Sequence, residues 1–147
     1  MAAVPLPASR LQIWLARVCI GLVFFFNVQC AIVFLVAPAG YAPSFEMAGT
    51  VGEGMVRGMG LLFLMWNVPY AVALWNPLRW RWSLLEAVVM QAIGFFGETA
   101  LLFTVSPDHT ILRSSVERFM LFDGSGLVLL LLAAWLISRR RISPQPG

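Results

Sequence analysis

The chain has 147 residues, of which 60% are hydrophobic and only 12% charged, against about 25% charged in an ordinary soluble domain. The apolar residues fall into four blocks, each close to the ~20 residues that cross a ~30 Å hydrocarbon layer, which leaves no room for a separate water-soluble domain. The net charge of +3 comes from ten arginines and no lysine, and seven of these (Arg10, Arg17, Arg79, Arg81, Arg139, Arg140 and Arg141) gather at one set of predicted helix ends, so they read as a topology signal and not as a nucleic-acid surface.

The first predicted span covers 18–37, behind Arg10 and Arg17. It is longer than the ~7–15 apolar residues of a signal-peptide core and reads as a retained transmembrane helix. Its two cysteines, Cys19 and Cys30, would be about 16 Å apart along a helix axis, too far for a disulfide, and read as small apolar packing residues. Asn27 and Gln29 place two amides at mid-depth. The loop 38–54 is rich in Gly, Pro and Ala and carries Glu46 and Glu53. Within it, Pro43-Ser44 predicts a short helical turn at the interface, with Phe45 and Met47 dipping into lipid.

The second span covers 55–76. Gly54 and Gly58 have GxxxG spacing, with Gly60 as a third small residue, and predict close helix packing within the monomer. Further along, Trp66, Asn67, Pro69 and Tyr70 form a polar kink. Proline removes a backbone donor, and residues three apart are helical neighbours. Asn67 and Tyr70 therefore either line a mid-membrane cavity for a quinone, a lipid head group or a pigment, or satisfy the kink themselves. The Asn76-Pro77 turn, with Arg79, Arg81, Trp75, Trp80 and Trp82, carries the arginine anchor and interfacial indoles expected on a cytoplasmic side.

The third span, 83–104, contains Glu86, Gln91 and Glu98. Glu86 lies in the first turn, where an acid suits the helix dipole. Glu98 is deeper, and an acid near a helix centre costs about 2.5–3.5 kcal/mol. At 100° per residue, Ala87, Gln91, Gly94 and Glu98 form one small, polar stripe, which is expected to face the bundle interior. In the following loop His109 stands beside Asp108, as a surface residue or an acid–base group. Ser114 and Glu117 have the spacing of a capping box for the fourth span, 117–137.

These elements predict an all-α fold, a four-transmembrane-helix bundle forming one domain over 1–147. Both termini are expected to be cytoplasmic, in a bacterial inner (cytoplasmic) membrane. The candidate ligand-binding or buried polar residues are Arg57, Glu98, Arg118, Asp123, Gln91, Asn27, Asn67 and Tyr70. Glu98 is expected to meet Arg57 or Arg118 across the bundle, either as a structural ion pair or as part of a ligand or proton site. There is no P-loop, dinucleotide fingerprint, paired Cys-x-x-Cys or second histidine, so no metal site, cofactor or catalytic residue is assigned.

Taken together, Arg17 to Gly21, the proline-containing loop, Arg57-Gly58-x-Gly60 and Pro77-x-Arg79-x-Arg81 resemble the layout of DoxX-like small four-helix membrane proteins. The dense buried polar set and the tryptophan-rich turn depart from that layout. Some members of the family are accessory subunits of quinone-linked oxidoreductases. The small size, short loops and lack of a catalytic motif favour an accessory or assembly subunit of a larger membrane complex, and the resemblance implies that such a complex is redox- or quinone-linked. The residues themselves leave two other readings open: a lipid- or quinone-binding protein or enzyme with a polar pocket in the outer half, and a proton-coupled transporter with Glu98 as carrier. The expected partners are membrane lipids, with other membrane subunits or further copies of the chain, and no nucleic acid.

Overall fold

Within hydrocarbon a backbone has no water to bond, so an apolar chain closes its hydrogen bonds inside each helix. The computed structural model describes residues 9–138, together with the backbone of Pro5–Leu6 and Arg141–Ile142. It contains four long helices: α1 (Arg10–Val36), α2 (Gly49–Trp75), α3 (Arg81–Thr104) and α4 (Thr110–Ser138). All four are long and apolar enough to cross a membrane. At 1.5 Å per residue they run about 36–44 Å, longer than the hydrocarbon layer, so their ends reach into the interfaces. Arg139 and Arg140 lie outside the described residues.

The helices begin earlier than hydropathy alone predicts, because interfacial polar residues extend the same hydrogen-bond ladder. Ser9 caps α1 reciprocally: its hydroxyl accepts from the Gln12 N–H, and the Gln12 side chain accepts from the Ser9 N–H. The predicted capping box at Ser114 and Glu117 is corrected. α4 starts at Thr110, so both residues lie inside the helix.

Each helix packs on its neighbours in sequence, and α1 closes the ring on α4, with α2 and α3 making the lightest contact. The bundle is densest towards the arginine-bearing end. There Ala16, Ile20 and Val23 meet Tyr70 and Ala73, Leu84 and Ala87, and Leu130 and Ala133. The alanines let the helices approach closely, which drives packing in lipid, where burial of apolar surface gains little.

At Gly60 α2 approaches α1 closely. A Cβ there would lie 2.8 Å from the Ala31 carbonyl oxygen and 3.0 Å from Phe34 Cβ. The expected packing role of Gly54 and Gly58 is not what the bundle uses: a Cβ at either meets nothing within 4 Å. Gly58 and Gly60 are about 200° apart around the helix, so only Gly60 faces α1.

Two arginines close helix ends. Arg17 of α1 donates from Nε to the Leu74 carbonyl at 3.0 Å and from its guanidinium to that of Trp75. Arg113 of α4 donates to the carbonyls of Leu102 (2.9 Å) and Val105 (2.7 Å) at the end of α3. Both place a cation where the helix dipole is negative and carbonyls lack intrahelical partners.

At the opposite end, the α1–α2 connection forms two 3-10 turns, Pro38–Gly40 and Ala42–Phe45. The helical turn expected at Pro43-Ser44 is present, but Phe45 and Met47 do not dip into lipid. Both pack inward against the Phe34, Ala42 and Val56 cluster. Phe34, only 2% exposed, is the hub, with rings of Tyr41, Phe45, Phe63 and Phe119 around it at 5.2–6.2 Å. Clustering of aromatic rings outweighs exposure of two of them to lipid.

Candidate functional site

Between the alanine-rich core and the α1–α2 connection, which caps the opposite end of the bundle, lies a cavity of about 750 Å³, lined by all four helices and the second 3-10 turn. It lies where α2 and α3 are in light contact. Aromatic walls enclose it: Phe34, Phe45, Phe63, Trp66, Phe119 and Phe122. Three of its lining residues on α1, α2 and α3 are also exposed, Phe26 by 48%, Trp66 by 44% and Ile93 by 63%, so the chamber borders the bundle surface.

Its floor is a hydrogen-bonded chain across three helices. Tyr70 of α2 donates to Gln91 Oε1 at 2.7 Å, with the Ala87 carbonyl at 3.2 Å. Gln91 of α3 donates through Nε2 to Asp123 Oδ1 of α4 at 2.8 Å and to the Asp123 carbonyl at 3.3 Å. Two glycines make room. A Cβ at Gly126 would stand 2.6 Å from Gln91 Nε2, and one at Gly94 would overlap the Asp123 carboxylate.

Above this floor two acceptors lack donors. Asn67 is 96% buried (4% exposed); its Nδ2 donates to the Phe63 carbonyl at 2.6 Å, while its Oδ1 has no partner. Glu98 Oε2 is also buried without a partner. Buried polar atoms are nearly always hydrogen-bonded, and leaving one unpaired costs about 1–3 kcal/mol.

Seven of the eight predicted residues line this chamber: Asn27, Asn67, Tyr70, Gln91, Glu98, Arg118 and Asp123. The predicted Ala87–Gln91–Gly94–Glu98 stripe faces inward, with Ala87 and Gln91 buried. Arg57 does not join it. It turns away from the bundle and pairs with Glu53 one helical turn back, at 3.3 Å.

The expected meeting of Glu98 with an arginine is therefore corrected. Arg118 lines the chamber but bonds its own helix, through Nε to the Ser114 carbonyl at 3.3 Å and through Nη2 to Ser115 Oγ at 2.9 Å. Among the described residues the ion pairs are Arg57–Glu53 and His109–Glu46. An arginine takes the nearest acceptors that need little ordering of a long side chain, and both found them locally.

The cap is latched to α4 by contacts that sequence spacing does not reveal. Ser115 Oγ donates to the Ser44 carbonyl at 2.6 Å. Glu46, held in the left-handed region at φ 56, directs its carboxylate to His109 and to the Leu112 N–H, the latter at 3.2 Å. Asp108 does not bond the histidine beside it but accepts from Ser106 Oγ at 3.4 Å.

The His109 ring and then the Leu112 N–H hold the Glu46 carboxyl below its ordinary value of 4.5. A depressed folded-state value means that its contribution is complete above the unfolded value and lost as pH falls through the folded one. Amide exchange in 42–48 is thus expected to speed up as pH falls below about 4.5, relative to the intrinsic rate. In Glu46→Gln that acid step should vanish. An identical acid profile in the variant would remove the latch.

Compared with known proteins, the chain matches no family model, no curated protein sequence and no solved structure.

Proposed function

We propose that this protein is a membrane-embedded binding protein for a lipophilic small molecule. The molecule enters sideways from the bilayer, lays its apolar body between the aromatic walls, and sets its polar end at Asn67, Glu98 and Asp123. One observation carries this reading: a chamber of about 750 Å³, within the range of ligand sites, is lined by Asn67 and Glu98, each of which carries a buried acceptor without a donor. A purely structural network would satisfy its own members. By the positive-inside rule, the end carrying Arg10, Arg17, Arg79 and Arg81 faces the cytoplasm and the cap faces outward, in a bacterial inner membrane.

The test is native mass spectrometry of the protein extracted with its own lipids. A reproducible small adduct on the chain or its self-oligomer is expected. A polypeptide at fixed ratio and no adduct would replace this reading with that of an accessory subunit in a larger complex, the role of some DoxX-like proteins. Glu98→Gln adds a second readout. With no arginine partner to lose, its melting temperature in detergent should equal or exceed that of the parent, while the adduct disappears. A drop of several degrees would make Glu98 a structural group instead.

A further inference from the structure

Resting on that reading, we infer that the ligand presents a positively charged hydrogen-bond donor, an ammonium group on an apolar body. Tyr70 and Gln91 spend their donors on the floor, and Arg118 spends its Nε and Nη2 on its own helix. Asn67 Nδ2 is committed to the Phe63 carbonyl. Among the described residues the buried side-chain atoms without a partner are Asn67 Oδ1 and Glu98 Oε2; both are acceptors, on residues that line the chamber.

The packing registers bring these groups together. Gly94 lies against the Asp123 carboxylate, so Asp123 stands about one helical turn (~5.4 Å) from Glu98 along α3. Tyr70 meets Gln91, which puts Asn67 about one turn above the floor, near the level of Gly94. Two carboxyl groups and an amide thus line the chamber within about one helical turn of one another in height, and among the described residues neither carboxyl is paired with a cation.

A desolvated carboxylate is costly unless a positive charge meets it, and a charge-assisted hydrogen bond is roughly twice as strong as a neutral one. An ammonium supplies three donors and the charge. The aromatic lining of Phe63, Trp66 and Phe119 is also compatible with a cation. A carboxylate or phosphate head would face the Glu98 and Asp123 carboxyl groups, with Arg118 as the one cation among the lining residues. A quinone, which offers only acceptors, would leave Glu98 and Asn67 as they are.

The ammonium can belong to a free lipophilic amine or to an aminophospholipid. The experiment uses the full-length protein in a neutral detergent with probes of one chain length, dodecylamine, dodecanol and dodecanoate, and a short-chain benzoquinone, read by native mass spectrometry. Dodecylamine should be retained at least about ten-fold more tightly than dodecanol, with dodecanoate and the quinone weaker still. Glu98→Gln, and independently Asp123→Asn, should abolish the preference for the amine over dodecanol. Displacement of dodecylamine by phosphatidylethanolamine but not phosphatidylglycerol would assign the ammonium to a lipid; displacement by neither would assign it to a free amine. Dodecanol, dodecanoate or the quinone held as tightly as the amine would overturn the ligand class and leave the binding chamber standing. Retention of no probe would overturn both.

Discussion

Replacing Gln91 by leucine is expected to lower bundle stability by about 3 kcal/mol. Gln91 is 3% exposed and joins α2 to α4 by accepting from Tyr70 and donating to Asp123. Leucine has nearly the right volume but neither role. It would leave the Tyr70 hydroxyl with only the Ala87 carbonyl at 3.2 Å and the Asp123 carboxylate without its side-chain donor, the second being the costlier loss. Tyr70→Phe removes one bond and leaves the carboxylate served, so about 1 kcal/mol is expected, in the range of interhelical hydrogen bonds in membranes. Reversible unfolding in mixed detergent micelles gives both values. Equal and small losses would mean that the floor is not an energetic unit.

Gly60→Ala and Gly58→Ala are expected to change stability in opposite directions. Alanine is the better helix former by roughly 0.5–1 kcal/mol, and the space beside Gly58 is open, so Gly58→Ala should stabilise by about that amount. At Gly60 the new methyl group would press on the Ala31 carbonyl oxygen and Phe34 Cβ, where main chain and not a flexible tip must yield. Parting α1 from α2 should cost about 1–3 kcal/mol and disturb Phe34, the hub of the aromatic wall. The same unfolding experiment decides. Equal shifts for the two variants would mean that α2 does not seat on α1 through Gly60.

The division between sequence and tertiary structure follows the range of the forces involved. Four spans were legible because crossing hydrocarbon needs a local property, a long apolar run, and that run fixes helical hydrogen bonding within itself. The inward stripe of Ala87, Gln91, Gly94 and Glu98 was legible for a similar reason, since 3.6-residue periodicity is local too. Seven of the eight candidate residues then converge on one chamber, because polar groups in a membrane helix turn away from lipid.

Partner choice was not legible. Glu98 stands without an arginine, Arg57 turns to Glu53, and His109 meets Glu46 across 63 positions of sequence instead of neighbouring Asp108. The Phe34 aromatic hub and the seating of Gly60, but not Gly58, on α1 were equally hidden. Each depends on the rotation and vertical register of one helix against another. Those are set by the packing of small and aromatic residues from several helices at once, and no window along a single chain contains that information.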